Sequence, residues 1–204
     1  MPSKNYSVIV FDLGMVLVSY NYNIALERFE KINSGFGVNY LNHYKANYIT
    51  HRQFERGDIS EEEFLNKTMT VFDSQVNKEI FKKIYSEIFT INEDVVALLP
   101  ELKKNYTLML LSNTNSIHRE YGWKNYEFLK YFDKLILSYE VNAVKPEEKI
   151  YRAVEKASER PPYSHILIDD VKQYVEAAIK CGWDGIQFTG YKKLVNELKS
   201  RKIL

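Results

Sequence analysis

Five short runs of apolar residues punctuate the chain, at positions 8–11, 107–111, 134–137, 165–168 and 185–188. They are continuous and rich in Val, Ile and Leu, with no alternation of polar positions. That pattern predicts strands buried on both faces, as in a parallel sheet. Between them the apolar residues recur at helical spacing. Residues 93–104 carry Val95, Val96, Leu98, Leu99 and Leu102 on one broad face, 147–158 carry Ile150, Val154 and Ala157, and 171–181 carry Val175, Ala178 and Ile179. Strands alternating with helices predict a doubly wound α/β sheet.

Residues 20–90 break this rhythm. They show no strand pattern and read as several amphipathic helices. Gly57-Asp58-Ile59 predicts a loop, and Ser60 followed by Glu61-Glu62-Glu63 predicts a helix start closed by a capping box between Ser60 and Glu63. The expected organisation is an α/β core formed by 1–18 and 92–204, with an all-helical cap, 19–91, inserted after the first strand.

Composition narrows the partners. With 28 basic and 27 acidic side chains the net charge is +1, so neither nucleic acid nor an anionic membrane surface is an expected partner. The apolar stretch 8–18 is too short to span a bilayer and is interrupted by Asp12. Cys181 stands alone, which excludes an internal disulfide and a Cys/His zinc site, and a cytoplasmic protein is the expectation. The pattern leaves the oligomeric state open.

Four of the predicted strands lead into unusual polar residues. The first runs into Asp12-Leu13-Gly14, the second into Ser112-Asn113-Thr114-Asn115, and the fourth into Asp169-Asp170, while the loop after the third carries Lys145-Pro146. In open α/β sheets, ligands gather at the C-terminal ends of strands. Phe11-Asp12-Leu13-Gly14, Leu111-Ser112-Asn113, Val144-Lys145-Pro146 and Ile168-Asp169-Asp170 together resemble the four motifs of the haloacid dehalogenase-like hydrolase superfamily. The subgroup they are most similar to contains sugar-phosphate phosphatases and the N-terminal domain of epoxide hydrolases. The cap segment Phe54-Glu55-Arg56-Gly57-Asp58-Ile59-Ser60, and the spacing from Ser112 to His118, are also similar to that subgroup.

The resemblance implies a Rossmann-like core with an inserted helical cap, and a Mg²⁺-dependent phosphatase acting on a small phosphorylated metabolite. Asp12 would be the nucleophile, forming an aspartyl-phosphate, with Lys145 supplying positive charge. Mg²⁺ would be held by Asp12, the Gly14 carbonyl and Asp170, with Asp169 adjoining. Ser112, Lys145 and the backbone of Leu13 and Asn113 would bind phosphate, and His118 and Trp123 would line the substrate pocket. Arg52 and Arg56 read as a solvated helix face.

The pattern departs from the family at three places. Gly14 stands where many phosphatases carry a second Asp that serves as acid and base, a function typically worth about 10²–10⁴-fold. Tyr174 replaces an Asn or Asp that orients the metal ligands, and Val16 a common Thr. Two rival functions follow: a non-catalytic binding protein, and a 2-haloacid dehalogenase. The paired acids Asp169 and Asp170 disfavour the latter, because they place negative charge where an anionic haloacid must sit.

Overall fold

Val8, Ile9, Val10 and Phe11 are all fully buried, and this strand is the centre of the molecule. The computed structural model describes residues 6–72 and 74–204. In chain order the elements are β1 (Val8–Phe11), β2 (Val18–Tyr20), α1 (Tyr22–Ile32), α2 (Phe36–Ala46), α3 (Tyr48–Arg56), α4 (Glu61–Thr68), α5 (Lys78–Ser86), β3 (Phe89–Ile91), α6 (Glu93–Val96) and α7 (Leu99–Lys103). They continue with β4 (Thr107–Ser112), β5 (Lys134–Leu137), α8 (Ser138–Val141), α9 (Glu148–Ser158), β6 (His165–Asp169), α10 (Lys172–Lys180), β7 (Asp184–Gln187) and α11 (Tyr191–Ser200).

The main sheet has the order β5-β4-β1-β6-β7, and every pairing is parallel. This is the Rossmann-like doubly wound sheet that the apolar runs predict. Alternate residues of β1 feed opposite cores: Ile9 and Phe11 pack with Val95, Leu99 and Leu198, while Val8 and Val10 pack with Ile150, Tyr151 and Val154. Burial on both faces explains why the strands read as unbroken apolar runs.

The order also sets the site. The chain leaves β1, adds β4 and β5 on one side, then crosses to add β6 and β7 on the other. Such a reversal opens a crevice at the C-terminal edge. Phe11 is in register with both Leu110 and Ile168, so Asp12 comes level with Asp169. The Asp12 amide donates to the Ile168 carbonyl at 2.9 Å and holds that level.

Helices α1–α5 form a separate aromatic core, with Phe29, Phe36, Phe54, Phe64, Phe72 and Phe81 buried together. Phe54 stacks on Phe64 at 4.3 Å between ring centroids. The expected all-helical range 19–91 needs correction at its ends: β2 and β3 pair antiparallel, Val18 with Ile91 and Tyr20 with Phe89, so the helices stand on a two-stranded ribbon. These strands have three residues each and pair across some 70 positions, too short and too distant to leave a local pattern.

Two local expectations also change. The predicted helix at 93–104 is split into α6 and α7, with Pro100 in the first turn of the second. Proline has no N–H to continue the earlier helix. At Ser60 only half of the capping box forms: Ser60 Oγ accepts from the Glu63 amide at 3.1 Å, while Glu63 instead pairs with Lys67 at 2.7 Å.

Candidate active site

The four polar clusters converge at the C-terminal edge of β4, β1 and β6. Lys145 is only 1% exposed, and its Nζ lies 2.9 Å from Asp12 Oδ1 and 2.6 Å from Asp169 Oδ2, and donates to the Leu111 carbonyl at 3.2 Å. A buried ammonium without partners would be strongly disfavoured, and these contacts provide its counter-charge. Tyr174, at the position where the family pattern places Asn or Asp, has its ring 5.2 Å from the same ammonium. The departure thus adds a cation–π contact to Lys145.

Asn113 positions this lysine. Its side-chain Oδ1 accepts from the Lys145 amide at 2.8 Å, and its Nδ2 donates to the Lys145 carbonyl at 3.1 Å. The side chain therefore anchors the loop that carries Lys145, a role the sequence did not announce. The Leu13 amide donates to Asp12 Oδ1 at 2.7 Å. With Lys145 also on Oδ1, Oδ2 is the Asp12 oxygen left to attack or to ligate. Ser112 is buried at the end of β4, and its Oγ makes no hydrogen bond among the described residues.

Asp12, Asp169 and Asp170 each place a carboxylate oxygen within 4.8 Å of the other two. Burial pushes the Asp12 carboxyl up from its ordinary range; Lys145 opposes this, while Asp169 and Asp170 reinforce it. Asp170 moves the same way, from burial and the charge of Asp169. For Lys145 burial alone would lower the pKa, but Asp12 and Asp169 outweigh it and hold the amine above its usual value. Three carboxylates face one ammonium, so the cluster carries excess negative charge in hard oxygen donors. That donor set fits a small divalent cation. Asp169 is the most committed of the three: it is fully buried, with Oδ2 on Lys145 and Oδ1 accepting from the Val171 amide at 2.9 Å.

Two neighbouring cavities open beside this cluster. The larger, about 170 Å³, is lined by Asp12, Gly14, Lys145, Asp170 and Tyr174, with Arg52 and Glu55 reaching in from α3. The smaller, about 80 Å³, is lined by Ser112, His118 and Trp123 together with Tyr22 and Phe89. Gly14, Tyr20, Glu55 and Asn113 border both. A depression of about 430 Å³ near Ile91, Tyr126 and Tyr131 is roomier, but it holds none of these charged groups.

The two cap arginines correct their expected role. Arg52 lines the charged cavity and pairs with Glu55 at 2.5 Å. Arg56 reaches the core, donating from Nε and Nη2 to the two Glu147 oxygens at 2.9 and 3.2 Å. Gly57 lies beside it in the left-handed region (φ 79), where a Cβ would fall 2.3 Å from the Tyr139 carbonyl. Only glycine allows so close an approach. The lone-residue pattern of a helix cannot reveal which neighbour its charged face meets.

Residues 9–191 match the family described as haloacid dehalogenase-like hydrolase. A relative from Bacteroides thetaiotaomicron, D-ribitol-5-phosphate phosphatase, is 26% identical over 186 residues, which span 88% of this chain and 90% of its own. A solved structure of a haloacid dehalogenase family enzyme from the same organism, in complex with magnesium and inorganic phosphate, is 25% identical. It covers 93% of this chain and 99% of its own, with a TM-score of 0.76. L-2-haloacid dehalogenase from Xanthobacter autotrophicus, with chloropropionic acid covalently bound, shares the fold alone: 17% identity and a TM-score of 0.63, over 98% of this chain and 84% of that one.

Proposed function

The chain belongs to the haloacid dehalogenase-like hydrolase family, and on that premise we propose that it is a Mg²⁺-dependent phosphatase of small phosphorylated metabolites. The observation that carries this reading is the convergence of Asp12, Asp169 and Asp170 around Lys145. The relative that hydrolyses D-ribitol-5-phosphate, and the neighbour in complex with magnesium and phosphate, support it.

Asp12 attacks phosphorus through a carboxylate oxygen, the bond from phosphorus to the ester oxygen breaks, and an aspartyl-phosphate forms. The departing alkoxide takes a proton from water, since Gly14 offers no acid. Water then attacks phosphorus, the phosphoryl–aspartate bond breaks, and inorganic phosphate and free Asp12 result. Lys145 favours the ionised form of Asp12 against its burial and offsets charge on the phosphoryl oxygens. Ser112 Oγ and the Asn113 amide would add hydrogen bonds to that group, whereas the Leu13 amide, expected to join them, is already engaged by Asp12 Oδ1. Asp12, Asp170 and the Gly14 carbonyl would hold Mg²⁺, which would supply Lewis-acid neutralisation of phosphoryl charge. Asp169 then acts mainly by fixing Lys145. The helical cap covers the site and excludes water.

The test is hydrolysis of 4-nitrophenyl phosphate by the purified protein. Release of 4-nitrophenol that requires Mg²⁺, and that Asp12→Asn abolishes, is expected. Equal release by Asp12→Asn, or none from aryl, acyl and sugar phosphates alike, would overturn the reading in favour of a binding protein.

A further inference from the structure

In an in-line displacement at phosphorus, the attacking and leaving oxygens lie on opposite sides. Asp12 attacks from the sheet edge, so the ester oxygen departs toward the ribbon and the cap. There Tyr20, Arg52 and Glu55 line the same cavity as Asp12. Position 14, a glycine, offers no acid to meet that oxygen.

Of the three facing residues, Glu55 is the proton carrier near neutral pH. An arginine keeps its proton in proteins, and burial raises the Tyr20 hydroxyl above its ordinary value. The Glu55 side chain is 26% exposed. Arg52 holds its Oε2 at 2.5 Å, while Oε1 has no partner among the described residues. The carboxyl is thus clamped at one oxygen and free at the other.

The backbone of Glu55 is tied to the catalytic edge of the sheet. Ser138 Oγ lies 2.5 Å from the Glu55 carbonyl and accepts from the Thr114 amide at 2.9 Å. Thr114 follows Asn113, whose side chain accepts from the Lys145 amide. Two residues beyond Glu55, the Gly57 carbonyl accepts from Asn142 Nδ2 at 2.9 Å. Proton transfer demands placement within hydrogen-bond reach, directly or across one water. These contacts fix the end of α3 against the core and supply that placement.

The surroundings favour the protonated carboxyl. Burial raises the Glu55 pKa, and Arg52 opposes the rise. Tyr20, Tyr22 of α1, Tyr44 of α2 and Tyr85 of α5 act on the same region, and burial keeps all four hydroxyls neutral. Asp12, Asp170 and Lys145 share the cavity. A bound phosphate adds a like charge beside Glu55, which favours its acid form further.

Resting on the phosphatase reading, we infer that Glu55 is the proton source for the departing alcohol, acting through one water in place of the acid missing at position 14. A water takes about 10–15 Å³ of such space, so about 170 Å³ admits one beside a phosphoryl group. As the bond from phosphorus to the ester oxygen breaks, the water gives a proton to that oxygen and takes one from Glu55 Oε1. Water later attacks the aspartyl-phosphate from the same side. It gives its proton to the Glu55 carboxylate, and the acid is restored.

Leaving-group dependence tests this. With Mg²⁺ present, kcat/KM for D-ribitol 5-phosphate, whose alkoxide needs a proton, is compared with that for 4-nitrophenyl phosphate, whose phenolate leaves without one. Glu55→Gln, nearly isosteric, should lower the ratio of alkyl to aryl kcat/KM by about 10²–10⁴-fold. In the wild type the alkyl kcat/KM should fall on an alkaline limb as Glu55 ionises. Arg52→Met leaves Glu55 in place and removes the charge that favours its carboxylate, so that limb should move to higher pH. A ratio unchanged by Glu55→Gln, or a limb unmoved by Arg52→Met, overturns the inference. So does a wild-type protein that cleaves aryl but no alkyl phosphate, and the phosphatase reading then survives. A protein that cleaves no ester overturns that reading and this inference with it.

Discussion

The ring of Tyr20 stands over Gly14: a Cβ built on that glycine would meet Tyr20 Cε1 at 3.2 Å. Tyr20 thus occupies part of the space that a second carboxylate would need, and it lines both cavities. The absence of an acid at position 14 and the presence of this tyrosine are one arrangement. Gly14→Asp alone should therefore lower kcat/KM and stability instead of restoring a missing catalyst. Combining it with Tyr20→Ala should recover part of the loss, with a coupling of about 0.5–3 kcal/mol, the range for contacting residues. A double-mutant cycle on denaturation midpoints and on kcat/KM checks this, and strict additivity would refute it.

Lys145 is the sole protein cation that the described structure brings within ion-pair distance of Asp12 and Asp169. Lys145→Met should destabilise the metal-free protein by about 3–5 kcal/mol, the usual result of removing one member of a buried charge group. Mg²⁺ should raise the wild-type Tm with the logarithm of its concentration above Kd, and Asp170→Asn should shrink that rise. Thermal melts in Mg²⁺ and in chelator measure both. A wild-type Tm indifferent to Mg²⁺ would remove the metal from the account.

Arg56 and Glu147 tie α3 to the loop that carries Lys145. Both side chains are 36% exposed, so the pair adds little to global stability. Its expected effect is on the seating of the cap. Arg56→Ala and Glu147→Ala should each raise KM, and the double variant should be no worse than either single one. If the losses multiply, the two residues act separately.

His51 is buried between Tyr44, 4.5 Å away, and Phe64, 5.0 Å away, with no partner for Nε2 among the described residues. Burial lowers its pKa from the ordinary 6.5 to about 4. Between those values the unfolded chain binds a proton that the folded chain refuses. The contribution of this residue is therefore complete above about pH 6.5 and is lost as pH falls toward 4, up to on the order of 3 kcal/mol. His51→Leu should flatten the fall in stability across pH 6.5–4, as followed by urea denaturation. An unchanged slope would mean that the imidazole gains a proton partner in the folded state.

Much of this was legible locally. The five sheet strands announce themselves because burial on both faces demands uninterrupted apolar residues, and Asp12, Lys145, Asp169 and Asp170 stand out as charges at the ends of such runs. Tyr174 and Gly14 were visible only as departures. Their partners, the Lys145 ammonium and the Tyr20 ring, come from other elements. The β2–β3 ribbon, the Asn113 clasp on Lys145 and the reach of Arg56 left no local trace.

Amino-acid order alone therefore determined the layers of this protein and the kind of chemistry placed at the strand ends, because secondary structure and strand burial follow from short-range periodicity. Tertiary structure alone decided which groups touch: Asp12 level with Asp169, and Lys145 between them. Contact between residues far apart in the chain depends on sheet order and register, and periodicity carries no information about either.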